Sequence, residues 1–159
     1  MPSQMLRARL LVQTDVVATV LATAKSRAPK RFGPFHTQRL SWIGKIWTGN
    51  DELHYEVWPR PRIGTIELGL HFEADALTNA RHLAAFRGRE TEVREALGNV
   101  TLIEPWDKGW ARVYETLPLE RSRADAERYG ARLAAYVMAL EPILRDELPA
   151  DTPWRVRTR

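Results

Sequence analysis

Between Thr65 and Phe72 apolar and polar residues alternate without a break. Ile66, Leu68, Leu70 and Phe72 fall on one side, and Glu67, Gly69, His71 and, one step on, Glu73 fall on the other. A period of two is the pattern of a strand with one face buried. A second such stretch, Leu53–Pro59, precedes it, and Pro59, Pro61 and Gly64 confine the break between them to a hairpin-like loop. If the two strands pair, Tyr55 and Val57 must share the apolar face. The numbers of partnered residues then sum to an odd value, because a slip of one residue turns every side chain to the wrong side. Two registers satisfy this condition. A sum of 125 sets His54 opposite His71 and Trp58 opposite Glu67, whereas a sum of 123 sets Glu56 opposite Glu67.

Elements of other periods flank this hairpin. Val16, Val17, Val20, Leu21 and Ala24 recur at helical spacing until Pro29 stops them, and Arg27–Gln38, with Pro29, Gly33 and Pro34, reads as an irregular basic loop. Leu40–Trp47 alternates as a strand that ends in the turn Thr48-Gly49-Asn50-Asp51. From Asp75 a long helix is predicted, with Leu77, Ala80, Leu83, Ala84, Phe86, Val93, Ala96 and Leu97 as its stripe and Gly98 as its left-handed stop. Val100–Trp106 and Trp110–Leu117 flank Asp107-Lys108-Gly109 as a second hairpin, its register pairing Trp106 with Trp110, Glu104 with Arg112 and Leu102 with Tyr114. Ser122 caps a last helix that Pro142 should kink. The order α-β-β-β-α-β-β-α, with hairpins and no βαβ crossover pattern, predicts an α+β domain. Its five-stranded, mainly antiparallel sheet would have three helices packed on one face. The expected core comprises Val20, Leu21, Ile66, Leu68, Leu70, Phe72, Leu83, Phe86, Val93, Leu97, Ile103, Val113, Leu133, Val137 and Leu140.

With 159 residues, 44% of them apolar, the chain is long enough for one core. The expectation is one domain over residues 1–148 and a basic C-terminal arm over 149–159. Cysteine is absent, which excludes disulfides, thiolate metal sites and cysteine nucleophiles. Gln13, Thr14 and Asp15 interrupt the apolar run from Leu10 to Ala24. That argues against a secretory signal and, with no run of about 20 apolar residues, predicts a cytoplasmic protein without a membrane partner. Net charge is +4, but residues 1–50 hold eight cations against Asp15 alone, so the base-rich part is local.

Tyr55-Glu56-Val57-Trp58, a long helix ending Glu95-Ala96-Leu97-Gly98, then Trp110-Ala111-Arg112-Val113 and a terminal amphipathic helix form a recognisable succession. Over roughly residues 10–148 it resembles an uncharacterised bacterial domain found beside restriction-type nuclease domains. The resemblance implies a nucleic-acid-related setting and carries no catalytic residue. No acidic residue followed by Glu-x-Lys or Asp-x-Lys stands on a strand, so it implies an accessory rather than a cutter.

Three places are candidates for function. In the basic segment, Lys25, Arg27, Lys30, Arg31, Arg39 and Lys45 interleave with Phe32, Phe35, Trp42 and Trp47. Cations release phosphate counterions and aromatic planes stack on unpaired bases, so Arg27, Lys30, Arg31, Arg39, Lys45, Trp42 and Trp47 are the expected nucleic-acid contacts. The polar side of the central hairpin carries His54, Glu56, Glu67, His71 and Glu73. Imidazoles and carboxylates at cross-strand spacing suit a divalent metal, with His54, His71 and Glu67 as ligands, or acid–base chemistry. An antiparallel sheet with one free face also exposes such residues to water for no purpose, and exchanging Glu67 would then cost little. Thirdly, Trp106, Trp110, Tyr114, Trp58 and Trp154 offer an aromatic surface for a protein partner or self-association. Phosphate-loop, dinucleotide, His-Glu-x-x-His, EF-hand and Gly-x-Ser-x-Gly patterns are missing. The favoured expectation is a non-enzymatic binding or accessory domain with nucleic acid as partner and no cofactor. An enzyme at the hairpin face and a protein-interaction domain are the alternatives.

Overall fold

The computed structural model describes residues 9–147. Four helices and six strands follow one another as α1 (Gln13–Arg27), β1 (His36–Leu40), β2 (Ile43–Trp47), β3 (Leu53–Arg60), β4 (Thr65–Phe72), α2 (Ala76–Gly88), α3 (Glu90–Leu97), β5 (Leu102–Pro105), β6 (Ala111–Pro118) and α4 (Arg123–Glu147). The fold is α+β, with every pair of neighbouring strands antiparallel, in the order β1-β2-β3-β4-β6-β5. β6 is inserted between β4 and β5, which therefore run in the same direction. The chain makes that crossover through α2 and α3, a connection the sequence pattern did not reveal.

The count of five strands and three helices is corrected at two points. Gly33 and Pro34 make Arg27–Gln38 read as loop, yet its end enters β1, which pairs with β2 from His36↔Trp47 to Leu40↔Ile43. All five residues of β1 are exposed, so no alternation marks it. The two-residue turn between β1 and β2 uses Ser41 at φ 45°. The long helix from Asp75 is also divided, because Arg89 leaves helical geometry at φ −115°, ψ 25°. Its stripe shifts with the break: Leu77 is 72% exposed and Ala80, Ala84 and Ala96 face water, while Asn79, His82 and Phe86 turn inward. Asn79 fixes this rotation by donating to the Ala74 and Gly109 carbonyls, which ties α2 to the β5–β6 turn. Gly98 has the expected positive φ of 94°, with an extended ψ of 170° rather than a left-handed helical one. α4 continues past Pro142, and Ser122 Oγ accepts from the Asp125 N–H at its start.

The central register is the one in which partners sum to 125, with His54↔His71 and Trp58↔Glu67, and the second hairpin pairs Glu104↔Arg112 and Leu102↔Tyr114. Tyr55, Val57, Ile66, Leu68, Leu70 and Phe72 join Val113 and the apolar sides of all four helices in one core. Of the expected core residues only Leu83 and Ile103 are partly exposed. Polar anchors seat α4 on the sheet: the Tyr55 hydroxyl donates to Glu141 at 2.8 Å, and Arg132 pairs with Glu115 at 2.6 Å. The helices thus cover one face, and the opposite face of β2, β3, β4 and β6 carries the ionisable residues. The expected C-terminal arm and Trp154 lie outside the described residues.

Candidate metal centre on the polar face of the sheet

This polar face is sealed rather than solvated, which overturns the expectation drawn from alternation. His54 is 1% exposed, His71 2%, Glu67 3% and Glu56 6%. Alternation states which side of a sheet a residue occupies and says nothing of depth. Here the flanking strands supply long side chains that pack over the middle two. The His54 and His71 rings stack, with centroids 5.8 Å apart and planes inclined by 15°. From β6, the Arg112 guanidinium lies between the rings of Trp106 and Tyr114, 3.6 and 3.8 Å from their centroids. Arg112 donates to Glu67 and reaches Glu104 at 3.5 Å. On the other side Lys45 of β2 stands 3.9 Å from Glu73 at the rim.

The register dictates who meets whom. His54 Nε2 lies 3.2 Å from Glu56 and 3.5 Å from Glu73, and His71 Nε2 lies 3.5 Å from Glu56 and 3.1 Å from Glu67. His71 Nδ1 lies 3.2 Å from Glu73. One ligand atom from each of His54, Glu56, His71 and Glu73 falls within 4.8 Å of all the others. In a tetrahedral site with bonds of about 2.0–2.1 Å, donor atoms stand about 3.3 Å apart; the contacts of His54 Nε2 with Glu56 and Glu73 match that spacing, while the full set, to which His71 gives one nitrogen, extends to 4.8 Å and would contract around an ion.

Hydrogen bonding settles one tautomer. His54 Nδ1 is 2.9 Å from the Asp51 carbonyl, which can only accept, so Nδ1 carries a proton. Nε2 is thereby aimed at two carboxylates. A lone pair facing two carboxylates is repelled, and a proton shared with one of them or a metal ion held between them relieves that repulsion. A backbone carbonyl that fixes the far nitrogen of an imidazole is the usual support of a metal-ligating histidine.

The electrostatics carry the same tension. Burial opposes protonation of His71, but hydrogen bonds to Glu67 and Glu73 and the charge of Glu56 raise its pKa to about 9. Burial alone would raise the Glu56 carboxyl, yet the His54 hydrogen bond and the neighbouring imidazoles hold it below the usual range. Glu73 is lowered against its own burial by His71, His54 and Lys45. Tyr114, buried and donating to Glu104, is pushed up to about 12.

The hairpin residues singled out by sequence are therefore brought together, with one change of role. Glu67 is held by Arg112 and orients His71, while Glu56 and Glu73 stand beside both imidazoles. Sequence reasoning missed Arg112 as a member, although its pairing with Glu104 was legible in the second hairpin. The basic segment is not assembled in the same way. Arg27, Lys30, Arg31 and Arg39 are exposed, but Phe32 and Phe35 belong to the core and Lys45 belongs to the polar cluster. Trp47 is half-buried beside His36, and Trp42 alone of its aromatics is exposed, at 58%. The aromatic surface is likewise divided: Trp106 carries Arg112, Trp110 lies under Lys108, and Tyr114 is buried.

Among the described residues no helix is long and apolar enough to cross a membrane. Comparison with protein-family models, with curated proteins and with solved structures finds no match to this chain.

Proposed function

We propose that this chain is a metal-binding domain that holds one divalent first-row transition ion between His54, Glu56, His71 and Glu73. The observation that carries the reading is the fixed tautomer of His54, whose free nitrogen points at two carboxylates from the middle of a buried cluster. Two imidazoles with two carboxylates suit Zn²⁺, Mn²⁺, Fe²⁺ or Co²⁺. Mg²⁺ and Ca²⁺ prefer oxygen alone, and Cu⁺ prefers sulfur. The ion would take the place of the protons that otherwise balance three neighbouring carboxylates against Arg112 and Lys45. Glu67 supports the centre from outside: pinned by Arg112, it fixes the His71 ring.

Calorimetric titration of the full chain with Zn²⁺, Mn²⁺ and Co²⁺ tests this. One ion per chain is expected, with bound Co²⁺ showing a low-symmetry visible spectrum. His54→Ala should abolish binding, Glu67→Gln should weaken it about 10- to 100-fold, and the exposed Glu92→Gln should leave it unchanged. A folded wild-type chain that takes up none of these ions would show that protons alone fill the cluster, and the proposal would be wrong.

A further inference from the structure

A second feature lies at the end of the sheet where the β1–β2 turn, the end of β3 and the 3-10 turn Pro61–Ile63 meet the start of α1. There the surface forms a cleft of about 670 Å³ lined by Trp42, Trp58, Arg60, Arg62 and Ile63, with Gln13 and two prolines completing the wall. Its chemistry differs from that of the other large cleft, between α1 and α4, whose walls mix Asp15 and Glu127 with Arg27 and Arg123. Among the described residues no carboxylate lines the Trp42 cleft. Two indoles and two guanidinium groups do.

Both kinds of group are available. Trp42 stands at a two-residue turn in which Ser41 takes φ 45°, and it keeps 58% of its surface exposed. An indole held this far out gains nothing from the core and offers its ring face. Trp58 is half-buried and has the Arg60 guanidinium 4.5 Å from its ring centroid. That cation–π contact covers one face of the Trp58 ring and leaves the charge of Arg60 unneutralised, beside the exposed Trp42 in the same cleft. Arg60 and Arg62 have no ion pair among the described residues, in contrast to Arg89, Arg94, Arg112, Arg128, Arg132 and Arg145, each of which has an acidic partner. Arg39, in the strand that leads into the Trp42 turn, is exposed and also without such a partner.

We infer that this cleft binds a nucleotide unit, with its base stacked on Trp42 and its phosphate met by Arg60 and Arg62. The ligand must combine a planar aromatic face with negative charge. Apolar ligands would leave two unpaired guanidinium groups unused, and simple anions would leave the indoles unused. A free nucleotide and one residue of a single strand present the same chemistry, and the experiment separates them. The inference does not depend on the metal centre, whose ligands are other residues.

Binding is measured with the full chain in two arms: calorimetry with ATP and AMP, and fluorescence anisotropy with labelled ten-nucleotide dT and rU strands. At least one arm should show saturable binding. Trp42→Ala should weaken it about tenfold, as loss of one stacked base does. Replacing both Arg60 and Arg62 by Ala should flatten the slope of log affinity against log salt for a strand by about 1.4. Arg87→Ala, on α2, should change neither value. Because Trp42 is largely exposed, its variant should keep the wild-type circular dichroism, so lost binding reports the cleft. Response to mononucleotides alone identifies a free nucleotide, and response to strands alone identifies single-stranded nucleic acid. The inference is overturned if neither arm binds, if a duplex of equal length binds more tightly than the strand, or if Trp42→Ala binds like the wild type.

Discussion

Glu67 accepts a charge-assisted hydrogen bond from Arg112 and lies against His71 with almost none of its surface in water. Glu67→Gln would keep the shape and remove the charge, leaving a buried guanidinium with only Glu104 to face. Breaking one half of such a pair costs about 3 kcal/mol. The adjacent Leu68 points the other way and is fully buried under the helices, so Leu68→Ala should cost about 2–5 kcal/mol by removing methyl groups and leaving a cavity. Urea unfolding of the two variants is therefore expected to show comparable losses from unlike causes. A negligible loss for Glu67→Gln would mean that the polar face is open to solvent after all. Side and depth are separate properties of a strand residue. The alternation of Ile66–Glu73 settled the side of every residue but left two registers, and which imidazole meets which carboxylate follows only from the observed pairing. Depth depends on Trp106, Arg112 and Tyr114, which arrive from the β5–β6 hairpin some 40 residues later and cannot be placed over Glu67 by local pattern.

Elements that pack through a wide apolar face were legible, and those that do not were missed. α1, β3, β4, β6 and α4 each present several aliphatic residues at one period, and all five were read near their observed bounds. β1 has one aliphatic residue, Leu40, which is exposed, and the break at Arg89 has no proline to announce it, so neither the strand nor the helix boundary shows in the pattern. Close approach between elements is another property that pattern does not disclose. At Gly130 a Cβ would stand 2.5 Å from Thr23 Cβ and 2.9 Å from the Val20 carbonyl oxygen, so α1 crosses α4 at this glycine. In an exposed helix Gly→Ala stabilises by about 1 kcal/mol. Here α1 would have to retreat from its own backbone contact, and Gly130→Ala is expected to destabilise by about 2 kcal/mol instead. Thermal melting decides the sign. A higher melting temperature would show that the two helices are further apart than described.

At the scale of the whole molecule, the charged cluster shapes how stability depends on pH. In the metal-free chain the folded pKa of His71, about 9, exceeds its ordinary 6.5, so its contribution is complete below pH 6.5 and is lost as pH rises through about 9. Glu56 and Glu73 are lowered from 4.5, so theirs is present above that value and is lost as pH falls below it. Glu141, raised by burial, works in the opposite sense on the acid side and softens that limb. Urea midpoints measured from pH 3 to 10 with chelator present should peak between about 5 and 6.5. Midpoints that climb steadily to pH 10 would show that His71 is not protonated in the fold. The insertion of β6 between β4 and β5 adds a condition of a different kind. Glu67 obtains its counter-charge from a strand the ribosome makes late, after two helices have crossed over. A nascent chain halted before residue 112 would own every donor atom of the centre yet lack the guanidinium that steadies them, so completion of the sheet and competence of the cluster are one event.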